Sequence, residues 1–98
     1  MNIFLDDRRP CPKGYCGFSD YEKCVFFLSK VKEIDIISLD YDLGETCTGF
    51  DVLVYMNKKN IIPKKINIHS SHAFGIIRME SFAKLNFKSS IVTTGSPL

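Results

Sequence analysis

Acidic residues follow directly on short apolar runs at two places in this chain: Asp6-Asp7 after Asn2-Ile3-Phe4-Leu5, and Asp40-x-Asp42 after Ile34-Asp35-Ile36-Ile37-Ser38-Leu39. Acids after a strand are commonly no more than solvated loop residues, so either group alone means little. Brought together they repel, and each raises the other's pKa unless a cation intervenes. Asp6, Asp7, Asp40 and Asp42 are therefore candidate ligands of a divalent ion, and an all-oxygen donor set favours Mg²⁺ or Mn²⁺ over a softer metal. Mg²⁺ keeps several waters and bridges to phosphate oxygens, which makes phosphate chemistry the expectation.

A third apolar run, Ile66-Asn67-Ile68, ends in His69-Ser70-Ser71-His72. His69 can serve there as general acid or base, or as a core-edge imidazole satisfied by a backbone partner; its place beside the acids favours the first reading. Arg9 is either a phosphate partner or a surface arginine paired with the neighbouring acids. Ser70 would help Arg9 steady developing charge, with His72 on the rim of the same site. Thr48-Gly49-x-Asp51 reads as a capped helix start whose amides would also suit an anion, so Thr48 and Gly49 are expected beside substrate. A zinc reading of His69-x-x-His72 with an aspartate as third ligand ranks below Mg²⁺. Arg78, on the outer turn of a helix, is expected to face solvent.

The elements that must position these groups follow from periodicity. Asn2 to Leu5 is a buried strand stopped by acids and Pro10, and residues 10–14, with Pro10, Pro12 and Gly14, are loop before a brief strand from Tyr15 to Phe18. Ser19 or Asp20 caps a helix reaching about Lys32, with Tyr21, Cys24, Val25, Leu28 and Val31 as its apolar stripe. The strand at Ile34–Leu39 leads through a loop to a helix from Thr48 to about Lys59, with Leu53 and Met56 inward. Then come the Ile66–Ile68 strand, a helix over about Ala73–Leu85 (Ile76, Met79, Phe82 and Ala83 inward) and a last strand near Ser90–Val92. Strands alternating with helices imply a parallel sheet covered on both faces, with the ligand at the carboxyl ends of the strands.

Composition bounds the rest. The 98 residues, 45% of them hydrophobic and 24% charged, suit one globular domain spanning 1–98. The formal charge of +2 comes with lysines scattered in pairs, which gives no strong nucleic-acid-binding surface. No run approaches membrane-spanning length, and the acids at the N-terminus break up any signal peptide, so a cytoplasmic location, in the cell or a host, is expected. Cys11, Cys16, Cys24 and Cys47 are accordingly expected to be free thiols.

The motifs at these positions resemble the cyclic-phosphate processing receiver family, a shortened branch of the response-regulator receiver fold. The resemblance spans most of the chain and rests on Leu5-Asp6-Asp7-x-Arg9-x-x-Pro12, Ile37-Ser38-Leu39-Asp40-x-Asp42-Leu43-Gly44, Thr48-Gly49-x-Asp51-Val52, and His69-Ser70 with Gly75 and Met79 downstream. It implies an α/β, flavodoxin-like, three-layer fold with a mostly parallel sheet of four to five strands and a first helix shortened or missing. It also implies Mg²⁺ on Asp6 and Asp7, with Asp40 where ordinary receivers accept a phosphoryl group. The family's Asp-His-Asp-Leu-Gly reads Asp40-Tyr41-Asp42-Leu43-Gly44 here, and its His-Ser-x-Asn reads His69-Ser70-Ser71-His72. Thr93-Thr94-Gly95 stands where an ordinary receiver keeps a lysine, which argues against phosphorelay signalling. The leading expectation is a Mg²⁺-dependent phosphoesterase acting on a cyclic phosphate of a nucleotide or RNA end. Asp40, His69, Ser70 and Arg9 would then be catalytic, with His69 as proton donor. The rival is a non-catalytic module that senses or sequesters a phosphate or nucleotide ligand, or a protein partner.

Overall fold

A computed structural model describes residues 1–97, and in it each apolar run becomes a strand or helix close to its expected bounds. The order is β1 (Asn2–Leu5), β2 (Cys16–Phe18), α1 (Tyr21–Leu28), β3 (Ile36–Leu39), α2 (Gly49–Lys59), β4 (Lys65–Ile68), α3 (Ala73–Asn86) and β5 (Ile91–Thr94). The sheet is parallel throughout, in the order β2-β1-β3-β4-β5. This is the receiver-like α/β fold anticipated, and the helix missing is the one between β1 and β2, where residues 6–15 form a loop instead.

That loss decides how the sheet is covered. The steps from β2 to β3, β3 to β4 and β4 to β5 all move the same way across the sheet, and right-handed crossovers then put α1, α2 and α3 on one face. The helices pack α1 on α2 and α2 on α3. Beneath them lie Ile3, Leu5, Ile37, Leu39, Ile66 and Ile68, all at 0% exposure. Helices on both faces were expected; among the described residues they occupy one. The opposite face carries Phe4, Ser38, Asn67 and Thr93 side by side in register. Phe4 is covered instead by the β1–β2 loop, whose Tyr15 ring meets it edge-on and whose Tyr15 hydroxyl donates to the Pro97 carbonyl at 3.5 Å.

Local chemistry sets the element ends. Asp20 caps α1 by accepting from the Lys23 amide at 2.9 Å. The helix stops at Leu28, short of Lys32, with the Ser29 hydroxyl turned back onto the Phe26 carbonyl at 2.6 Å. Before α2 the Asp51 carboxylate accepts from the Thr48 amide at 2.7 Å and the Thr48 hydroxyl at 3.3 Å. Asn60 ends the helix in the left-handed conformation at φ 57°. The inward residues of α2 and α3 are those the periodicity gave: Leu53, Met56, Met79 and Ala83 are all fully buried. Ile76 and Phe82 pack at the edge of that core.

Candidate metal and phosphate site

β1, β3 and β4 end side by side, so Asp6, Asp40 and His69 begin the loops at one edge of the sheet. Oxygens of Asp6, Asp7 and Asp40 lie within 4.8 Å of one another. Asp42, also expected as a ligand, lines the same cleft but is not in that trio; its Oδ1 accepts from the Gly44 amide at 2.9 Å. Gly44 has φ +69°, and a Cβ there would sit 2.9 Å from Asp7 Oδ2, so the turn after Asp42 requires glycine twice over.

The three carboxylates are not equivalent. Asp6 Oδ1 accepts from the Arg8 amide at 2.8 Å and the Arg9 amide at 2.9 Å, a turn that stops β1. Its Oδ2 accepts from Arg9 Nη1 and His69 Nε2, both at 3.1 Å, so all four acceptor positions are filled. Burial pushes the Asp6 carboxyl up, but those amides, the His69 ring and the Arg9 guanidinium together hold it below the usual value. Asp40 moves the other way: burial and the Asp6 charge raise it against hydrogen bonds from Ser70 and the Tyr41 amide. Asp7 Oδ1 is buried and has no hydrogen-bond partner. A buried carboxylate oxygen without a donor costs stability, and a hard cation is the partner that suits it. The donor set thus fits Mg²⁺ or Mn²⁺ at Asp7 and Asp40, with Asp6 beside them but its Oδ2 held by Arg9 and His69. Arg9, half exposed and 4.0 Å from Asp40 Oδ2, is the paired arginine of its second reading, and it lines the cleft as the first would require.

His69 is enclosed. Its ring stacks on Phe4 with centroids 4.5 Å apart, Nε2 meets Asp6, and Nδ1 meets the Ser38 hydroxyl at 2.6 Å. Ser38 in turn accepts from Asn67 Nδ2 at 3.0 Å, and Asn67 Oδ1 accepts from the Thr93 hydroxyl at 2.7 Å. For the neutral ring, an ionised Asp6 that can only accept fixes the assignment. Ser38 donates to Nδ1, so the neutral ring carries its proton on Nε2 and gives that hydrogen bond to Asp6. Burial keeps the imidazole below its ordinary pKa despite Asp6 and Asp40, which favours this neutral form. With both nitrogens engaged inside the protein, His69 holds Asp6 in place and has no nitrogen for a leaving group. The zinc reading of His69-x-x-His72 loses its support for the same reason.

His72 is the exposed imidazole of the cleft. Its Nδ1 accepts from the Gly75 amide at 2.9 Å as the N-cap of α3, which puts the proton of the neutral ring on Nε2. Tyr41, in the place of the family's histidine, is absent from the cleft lining: its ring covers Gly75, its centroid lies 4.8 Å from that of His72, and its hydroxyl accepts from Arg78 Nη1 at 3.4 Å. Arg78 is exposed, as expected, but its guanidinium also lies 3.9 Å over the Phe50 ring. The cleft, about 370 Å³, is lined by Asp6, Arg8, Arg9, Asp40, Asp42, Ser70, Ser71 and His72. Thr48 and Gly49 do not line it. Gly49 is buried against Asp40, whose carbonyl oxygen a Cβ would strike, and the Thr48 hydroxyl is taken by Asp51. Sequence reasoning passed over Ser38, Asn67 and Thr93; polar residues at the middle of apolar strands were the available signal.

No curated protein and no solved structure matches the chain. The pattern of the cyclic-phosphate processing receiver domain matches residues 1–84, from β1 through most of α3, and so includes the carboxylates and His72 of the cleft together with the enclosed His69. With that match over most of its length and a five-stranded parallel sheet in receiver order, the chain belongs to the cyclic-phosphate processing receiver domain family.

Proposed function

We propose that this domain is a divalent-metal-dependent phosphoesterase that opens a cyclic phosphate. The observation that carries the reading is Asp7 Oδ1, buried and without a donor among three converging carboxylates. Bound there, Mg²⁺ or Mn²⁺ would supply Lewis-acid polarisation of the phosphate and a more acidic water. The chain's own residues account for the rest. Arg9, exchanging Asp6 for the phosphate, and the Ser70 hydroxyl steady the developing charge. Water adds to phosphorus and the ring P–O bond breaks. Asp40 takes the water's proton and passes it to the leaving oxygen, which the Nε2–H of His72 steadies with a hydrogen bond. Proton donation thus moves from His69 to Asp40, with His72 supplying a hydrogen bond, because both ring nitrogens of His69 are engaged inside the protein.

Calorimetric titration with Mn²⁺, followed by turnover assays on cyclic and linear nucleotides with and without Mg²⁺, tests both halves. Asp7→Asn should weaken metal binding roughly tenfold or more. His72→Asn keeps an N-cap side chain but loses the Nε2 donor, so it should leave the melting temperature and metal affinity unchanged while lowering turnover about a hundredfold. Absence of saturable metal binding in the intact chain ends the metal reading. One observation favours the non-catalytic alternative: Asp6 already has four donors, so the cluster is partly neutralised by Arg9 alone. Tight nucleotide binding with no turnover under any of these conditions would assign the site to that alternative.

A further inference from the structure

A second cavity, of about 450 Å³, adjoins the acidic cleft and shares Arg9 and Ser70 with it as common walls. It lies on the sheet face without helices. Its remaining lining is Phe4, Pro10, Pro12, His69 and the segment Gly95-Ser96-Pro97. The cavity lies where a helix is missing: the β1–β2 loop and the residues after β5 close over Phe4, which is 3% exposed, and meet where Tyr15 donates to the Pro97 carbonyl. The geometry points to this cavity as the seat of a nucleoside whose cyclic phosphate occupies the acidic cleft.

The choice of a nucleoside follows from the walls. Three prolines, Pro10, Pro12 and Pro97, form most of the apolar wall, and the stacked Phe4 and His69 rings, at 3% and 5% exposure, make a rigid base behind it. They suit a flat heterocycle, whose contact with them immobilises no flexible side chain. A polyol phosphate would need many polar partners. The backbone here has few to give, since the Gly95 carbonyl already accepts from Asn67 Nδ2 at 2.9 Å and the Gly95 amide donates to the Ile68 carbonyl at 2.9 Å. The volume falls within the range of small-ligand pockets, and the shared Arg9 and Ser70 stand at the junction where phosphate meets sugar. His69 links the two cavities: it lines this one, while its Nε2 meets Asp6, a wall of the acidic cleft.

This inference rests on the phosphate reading of the acidic cleft, and the test separates the two. The chain with diamagnetic Mg²⁺ is titrated with adenosine 2′,3′-cyclic phosphate, with the base-free methyl riboside 2′,3′-cyclic phosphate, and with a short RNA ending in a 2′,3′-cyclic phosphate. Amide spectra are recorded alongside. The adenosine ligand should bind at least tenfold tighter than the base-free one, and it alone of these two should shift the Gly95 and Ser96 amides. Pro97→Trp, which fills the cavity from outside any strand or helix, should remove that preference and leave base-free binding within twofold of the parent. A tighter RNA would mark the terminal nucleoside of a strand as the natural ligand, and an equal or weaker RNA a free nucleotide; both support a nucleoside seat. Equal affinity for adenosine and base-free ligands, with Gly95 and Ser96 unmoved, overturns the inference and leaves the phosphate reading standing. No binding of any of the three overturns both.

Discussion

The imidazole of His69 has Asp6 on one nitrogen, Ser38 on the other and Phe4 against its face, at 5% exposure. Removing such a ring leaves Asp6 one donor short, strips Ser38 of its acceptor and opens a void under Phe4. His69→Ala should therefore lower stability by about 3 kcal/mol, read from the urea midpoint, and weaken Mn²⁺ binding as Asp6 loses its orientation. A merely catalytic histidine would behave differently, with stability and metal affinity untouched and turnover alone reduced. That second pattern would return the proton-donor role to His69. The residue types and their convergence were legible in the sequence. Which histidine is enclosed was not, because it depends on Ser38 and Asn67 lying in register with Phe4 on neighbouring strands.

Between elements, the start of α2 is pressed against the end of β3. The Gly49 amide donates to the Tyr41 carbonyl at 2.9 Å, and the space for a Cβ is already filled by the Asp40 carbonyl oxygen. Gly49→Ala must push the helix away from the strand end that presents Asp40, since a backbone oxygen has no rotamer in which to move aside. The expected cost is about 2–3 kcal/mol, with metal binding weakened in the fraction that still folds. An alanine variant with wild-type unfolding and unchanged Mn²⁺ affinity would show that the helix is free to slide. The motif Thr48-Gly49-x-Asp51 announced a helix start correctly. Its expected contact with substrate failed because Asp51 satisfies Thr48 and strand β3 occupies the other side of Gly49. Similarly, α1 ends at Leu28 although Val31 continued its apolar spacing, since periodicity reports which face is apolar and not where the backbone hydrogen bonds stop.

At the scale of the whole molecule, the single helical layer makes one well-packed core and leaves its buried thiol there. Cys24 is fully buried on the inner face of α1, and burial pushes its pKa up to about 12, with Asp20 adding to the effect. All four cysteines are free. An unfolded thiol ionises at an ordinary pKa of about 8.5. The stability Cys24 contributes is therefore complete below that pH and is lost as pH rises toward 12. Alkylation without reductant should label exposed Cys11 fast and Cys24 only at the rate of unfolding, with four labels by mass once the chain is denatured. Prompt labelling of Cys24 in the native state would mean that the core opens locally. Among the described residues, no helix is long and apolar enough to cross a membrane.

Local sequence determined the strands, the helices, the acids at two strand ends and the histidine at a third, because each is written in the spacing of a few neighbouring residues. Its motifs, by their resemblance to the receiver family, also implied a receiver-like parallel sheet, whose strand order the structure gives. The tertiary structure decided what those residues can do. Register across β1, β3, β4 and β5 tied His69 into a buried chain of donors, while the N-cap geometry of α3 left His72 with a nitrogen toward the cleft. The absent helix between β1 and β2 left one face of the sheet to a loop and a tail, and so created a cavity beside the acids. These outcomes depend on side chains far apart in the chain meeting at specific distances, and no local spacing encodes that.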